Sequence, residues 1–201
     1  YPVNPFVKTV EKYHVGWGSE TVIGAAATVL KAVSDGDISR FYVIGGCDGY
    51  EGERSYYTDL AAALPSTSVV LTVGCGKFRI NHLDMGTIGE TGIPRLLDLG
   101  QCNDSYSAIQ IALALAQALQ CGVNDLPLSI VLSWFEQKAV VVLLTLLSLG
   151  IRNIRVGPTV PAFLRPSIFK VLHEKFNLMA IGADVHQDIA NMVTGDKVVV
   201  P

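Results

Sequence analysis

The chain has 201 residues, half of them apolar and only 16% charged, with a formal net charge of -3. This is enough apolar material for one sizeable core, and it suits a sheet buried on both faces. The absence of any basic run or aromatic–basic interleaving argues against nucleic acid, and the longest apolar run, residues 139–149, is too short to span a bilayer.

No signal peptide is visible, so a cytoplasmic protein without a membrane partner is expected. Residues 1–20 read as a connecting segment and 21–201 as one α/β domain. The start at Tyr1 points to a piece of a larger protein.

Residues 21–33 carry a helical pattern ended by the turn SDGD. Residues 41–44 form the first predicted strand, closed by Gly45 and Gly46. A short helix over 56–64 stops at Pro65. Residues 68–73, rich in β-branched side chains, are the second strand. A less regular piece with Gly86, Gly89 and Gly92 leads to the third strand at 95–99. Asp104 or Ser105 then caps a long helix to Gln120, with Gly122 as its stop. Residues 128–133 are the fourth strand. The nearly all-apolar helix at 136–149 should be buried on most sides. A fifth strand at 153–156, a helix at 166–176 with proline in its first turn, a sixth strand at 178–181 and a helix at 185–192 complete the chain. This alternation predicts a Rossmann-like α/β domain: a mostly parallel sheet of about six strands with helices on both faces.

Three cysteines recur at one kind of place. Cys47 (FYVIGGCDGYE), Cys75 (VVLTVGCGKFR) and Cys102 (LLDLGQCNDSY) each follow an apolar run and a glycine, at intervals of 28 and 27 residues. That interval is close to one βαβ unit, so the three thiols should meet at one edge of the sheet. In open α/β sheets that edge, outside the carboxyl ends of the strands, is where ligands sit. Thiolates gathered there suit a soft metal or an iron–sulfur cluster, and adjacent glycines let the backbone approach a bulky group. The alternative is three buried cysteines acting as small hydrophobes.

Cys121, at a helix end, reads as a packing residue or free thiol. Glu136 and Lys138 reach the same edge after the fourth strand. A carboxylate is favoured at a helix N-terminus, but a lysine is not, so Lys138 must snorkel to water or meet an anion or substrate. The functional reading makes Glu136 an oxygen ligand and Lys138 a proton donor or anion partner. His14, His82, His173 and His186 are scattered, and no phosphate-binding glycine loop or nucleophile elbow is present.

In order, VIGGCDG, RSYYTDLA, LTVGCGKFR, GIPRLLDLGQCNDSY, NDLPLSIVLSWFEQKAVVVLLTLLSLGI and IRVGPTVPAFL resemble the hybrid cluster proteins, or hydroxylamine reductases, across about residues 41–189. The chain is more distantly similar to nickel–iron carbon monoxide dehydrogenases. The resemblance implies the C-terminal domain of a three-domain enzyme that reduces hydroxylamine to ammonia and water, with nitric oxide as another substrate. It implies that Cys47 is the persulfide-bearing ligand of a hybrid iron–sulfur–oxygen cluster. Cys75, Cys102 and Glu136 would be further ligands, and Lys138 would lie by the substrate. The remaining ligands, a histidine, a glutamate and a cysteine, would come from preceding domains, together with a second iron–sulfur cluster that receives electrons from a redox donor. The stretch NHLDMGTIGETGIPRLL is slightly longer than the corresponding family segment. The isolated chain is accordingly expected to be inactive. The rival expectation is a cluster-free interaction module, or a relative whose thiols take zinc.

Overall fold

Six short apolar runs become strands: β1 (Arg40–Gly46), β2 (Ser68–Val73), β3 (Leu96–Asp98), β4 (Leu128–Ser133), β5 (Ile154–Gly157) and β6 (Met179–Ala180). Between and around them lie α1 (Ser19–Gly24), α2 (Ala26–Asp35), α3 (Ser55–Ala63), α4 (Ser105–Ala118), α5 (Gln137–Ser148), α6 (Pro166–Phe176) and α7 (Val185–Thr194). These come from a computed structural model, which describes residues 14–49, 54–134 and 136–194.

The strands form one parallel sheet in the order β3-β2-β1-β4-β5-β6. The chain builds outward from β1 to β3, then returns to place β4 on the other side of β1. That reversal opens a crevice at the carboxyl ends of β1 and β4, the usual ligand position in doubly wound sheets.

Side chains alternate across the sheet and explain the layers. Tyr42, Ile44, Val70 and Val131 face one side and pack on Tyr56, Tyr57 and Leu60 of α3 and Ile189 and Met192 of α7. On the other side Phe41 and Val69 meet Ala32 of α2, Leu71, Val73 and Leu97 meet Ile111 of α4, and Ile130 and Leu132 meet Leu143 and Leu147 of α5. Every residue of β2 and of β5 is buried, including the polar Ser68 and Thr72 and the charged Arg155, so neither strand has a solvent-facing side. Burying one such aliphatic side chain stabilises by about 1.5–3 kcal/mol.

Buried polar groups are tied into this core. Tyr56 donates to Asp188 Oδ2 at 2.5 Å, Gly182 N–H reaches the same oxygen at 2.7 Å, and Arg155 Nε lies 3.6 Å from Asp188 Oδ1. Burial, and then the Asp188 carboxylate, push the Tyr56 hydroxyl far above the ordinary phenol range, so it stays protonated and donates to Asp188.

Several boundaries differ from the predicted ones. The helix expected over 21–33 is two helices, because it breaks at Ala25 directly after Gly24, the weakest helix former in the run. The helix expected to reach Gln120 ends at Ala118, and Gln120 itself takes a positive φ of 53°. The nearly all-apolar helix α5 is not buried on most sides: only Leu143 and Leu147 are fully covered, while Val141 is 64% exposed. A single sheet covers one stripe of a helix, and nothing among the described residues packs on the opposite stripe. Val15 bridges to Asp98, and Trp17 N–H donates to Asp98 O at 2.9 Å, so residues 15–17 lie against the β3 edge.

Candidate metal centre at the carboxyl edge of the sheet

Each of the three cysteines follows the end of a different strand. Cys47 is the residue after β1, Cys75 stands two residues after β2, and Cys102 four residues after β3. Those strands are neighbours, and β4, which leads to Glu136 and Lys138, is next to β1. The edge therefore presents, in spatial order, Cys102, Cys75, Cys47 and the start of α5.

Close backbone packing draws the loops together. Gly74 has φ 85° and ψ -172°, a conformation essentially reserved for glycine. A Cβ built on it would lie 2.4 Å from Gly46 O and 3.4 Å from Cys102 Sγ. Gly46, with φ 106°, has no more room, since a Cβ there would meet Ser133 O at 2.2 Å. The glycines before Cys47 and Cys75 thus let β1, β2 and β4 meet where they end.

Backbone from a neighbouring segment reaches the Cys47 sulfur. Glu136 N–H, at the N-cap of α5, donates to Cys47 Sγ at 3.2 Å. The Cys75 backbone and the Lys138 charge both favour a Cys102 thiolate. Burial outweighs both, and with the neighbouring Cys75 and Cys47 sulfurs it pushes the Cys102 thiol above its ordinary value. Cys47 is buried, Cys102 half-buried and Cys75 exposed; all four cysteines are free thiols. In the metal-free protein, iodoacetamide at neutral pH should therefore label Cys75 well before Cys102, as read by peptide mass spectrometry. Labelling of Cys102 first would contradict this geometry.

Glu136 contributes its backbone to this edge more clearly than its side chain. Its carboxylate is exposed and makes no capping hydrogen bond, and Lys138 is exposed as well. Among the described residues, no three His, Cys, Asp or Glu side chains come together closely enough to hold one metal ion. Cys121 lies apart in the turn after α4, half-buried, in keeping with a free thiol.

A layer of charge beneath the cysteines escaped the sequence reading. Arg79 Nε pairs with Asp48 Oδ1 at 2.5 Å, and its Nη2 donates to Gly49 O, pinning the turn after Cys47. Arg54, only 1% exposed, donates to Ser133 Oγ and to Trp134 O, fixing the segment that carries Glu136. Tyr57 donates to the carbonyls of Leu132 and Gly157 beside it, and burial raises its hydroxyl far above the phenol range. The Lys77 ammonium lies 3.0 Å from Asp98 Oδ1, both nearly fully buried. One signal was available: in a chain with few charges, Asp48, Lys77, Arg79 and Asp98 all cluster within four residues of Cys47, Cys75 or Cys102.

Among the described residues, no helix is long and apolar enough to cross a membrane.

Similarity to known proteins agrees with this arrangement. A hydroxylamine reductase of Rhodospirillum rubrum is 58% identical over 183 residues, which is 91% of this chain and 33% of that protein. A hydroxylamine reductase of Moorella thermoacetica is 58% identical over 166 residues, 83% of this chain and 38% of that protein. The chain thus spans about a third of the length of these relatives. Carbon monoxide dehydrogenase IV from Carboxydothermus hydrogenoformans superposes with a TM-score of 0.69 over 90% of this chain and 35% of its own, at 16% identity. A carbon monoxide dehydrogenase from Thermococcus sp. AM4 gives 0.68 over 90% of this chain and 32% of its own, at 20% identity. At those identities the structures share the fold alone. The Prismane/CO dehydrogenase family model matches residues 4–190, nearly the whole sequence, and the chain belongs to that family.

Proposed function

We propose that this chain is the cluster-binding α/β part of a cytoplasmic iron–sulfur oxidoreductase that reduces hydroxylamine to ammonia and water. The observation that carries the reading is the gathering of Cys47, Cys75 and Cys102 at three adjacent strand ends, in a chain 58% identical to two hydroxylamine reductases.

The donor set fits an iron–sulfur cluster. The thiols are soft ligands, and the Glu136 N–H already aimed at the Cys47 sulfur would stabilise its thiolate and tune the potential of iron bound to it. A multi-iron group accepts ligands that each reach a different metal. A single zinc ion needs its ligands around one point, and the described residues offer no such group. The zinc reading is correspondingly weaker.

Cys47, Cys75 and Cys102 would hold one side of the hybrid cluster, with Cys47 as the persulfide position and Glu136 as an oxygen ligand after its exposed carboxylate turns inward. The other ligands, and a second cluster taking electrons from a redox donor, would come from preceding domains of the same protein. When bound, the cluster supplies the two electrons that, with two protons, convert hydroxylamine to ammonia and water. Lys138, on the first turn of α5, would deliver a proton to the substrate from the solvent side. Arg79 and Arg54 hold the Cys47 turn and the Trp134 backbone in place, and the apolar sheet behind them excludes water.

The test is anaerobic purification of the full-length protein, with iron and sulfide analysis and hydroxylamine consumption by a reduced dye. Cluster and turnover are expected there, and neither should be complete in the 201-residue chain. A full-length protein without iron would sink the reading, and a fully loaded, active short chain would sink the claim of shared ligands. Nitric oxide is the second substrate to offer the same preparation.

A further inference from the structure

One carboxylate oxygen joins two cysteine loops. Asp98 Oδ1 accepts Gly100 N–H at 2.9 Å, which fixes the turn leading to Cys102. The same oxygen lies 3.0 Å from the ammonium of Lys77, two residues after Cys75. The loops also touch directly, since Gly74 N–H donates to Gly100 O at 3.0 Å. The pair is almost inaccessible, with side-chain exposures of 6% for Lys77 and 3% for Asp98. It is also incompletely satisfied: Asp98 Oδ2 and the hydroxyl of Thr72, the cross-strand neighbour of Asp98, are buried with no hydrogen-bond partner.

A buried ion pair with an unfilled oxygen is a poor way to gain stability, because desolvating two charges costs about as much as their attraction returns. What it provides is geometry. We infer that Lys77 and Asp98 are positioning residues that set the separation of Cys75 and Cys102 before any metal arrives. This rests on the proposed role of those cysteines as cluster ligands. Neither residue touches substrate. The pair acts through the loops, locking the turn after β2 to the turn after β3, so the sulfurs reach an incoming cluster already spaced.

The experiment uses the full-length protein and four variants: Asp98→Asn, Lys77→Met, the double variant, and Asp188→Asn as a buried ionic control remote from the cysteines. In metal-free protein, each of the first two should raise the alkylation rate of Cys102 about tenfold, a local opening, and leave Cys121 unchanged. In loaded protein they should lower iron content and shift the electron paramagnetic resonance spectrum, whereas Asp188→Asn should lower thermal stability with an unshifted spectrum. The double variant separates position from stability. Without an uncompensated buried charge it should regain thermal stability, yet keep the fast alkylation and the shifted spectrum. Recovery of the wild-type spectrum and alkylation rate in the double variant would overturn the inference. So would unshifted single variants, provided Cys75→Ser and Cys102→Ser abolish the signal. If those serine variants keep it, the ligand reading itself fails, and the alkylation rates still report whether the pair sets the loops.

Discussion

Cys102→Ser in the full-length protein is expected to abolish the hybrid-cluster signal in electron paramagnetic resonance and to lower bound iron. The expectation follows from where the sulfur sits. It is half-buried beside Gly74, after the strand next to the one that leads to Cys75. Serine offers a harder oxygen donor, a far higher pKa and a shorter reach, all unfavourable for iron in a sulfur-rich site. Cys102 is only half-buried, so exchanging its thiol for a smaller, more polar hydroxyl should cost the fold no more than about 1 kcal/mol. Loss of the signal with a near-normal unfolding midpoint would therefore identify a ligand. An unchanged signal would remove Cys102 from the ligand set.

Gly74→Ala should damage both fold and site. Alanine at φ 85°, ψ -172° carries a strain on the order of 1–3 kcal/mol. Its methyl would also stand 2.4 Å from Gly46 O, a backbone atom that cannot rotate away. Relief requires β1 and β2 to separate where the Cys47 and Cys75 loops begin. We expect a loss of roughly 3 kcal/mol or more in urea unfolding, a large part of a typical domain's stability, with failure to load iron. Gly92→Ala is the comparison. Gly92 also has positive φ, at 74°, but nothing lies within 4 Å of its missing Cβ. It should cost only the left-handed penalty of about 1–2 kcal/mol and load normally. Equal effects of the two substitutions would show that the contact with Gly46 does not matter.

The fold was largely legible because its strands are short apolar runs between strong stops. β2, β4 and α6 fall at the expected residues. Gly36 and Asn177, both left-handed, end α2 and α6 as turn residues should. The expected burial of α5 failed for a physical reason. Composition tells which residues prefer to be covered, but the number of surfaces available to cover them belongs to the assembled fold. Among the described residues, α5 packs its buried stripe on one sheet face.

The candidate site was legible in part. Cysteines after strand ends announce a common edge whatever the strand order, because all parallel strands end on the same side. Spacing could not show that β4 inserts beside β1, bringing Glu136 N–H onto the Cys47 sulfur. Nor could it show that Glu136 meets that sulfur through its backbone while its carboxylate stays exposed. The nearness of Lys77 and Asp98 to cysteines is visible in the sequence, but only the folded chain shows that they and Arg54 are buried.

The order of residues was thus sufficient for the strand–helix rhythm, the parallel sheet and the shared edge of three thiols, since each depends on local periodicity and chain direction. Strand order, the glycine contacts that set loop spacing, and the buried charges beneath the cysteines were decided by packing between segments as far as 132 residues apart. Those contacts depend on which surfaces face each other in three dimensions, and no local pattern encodes that.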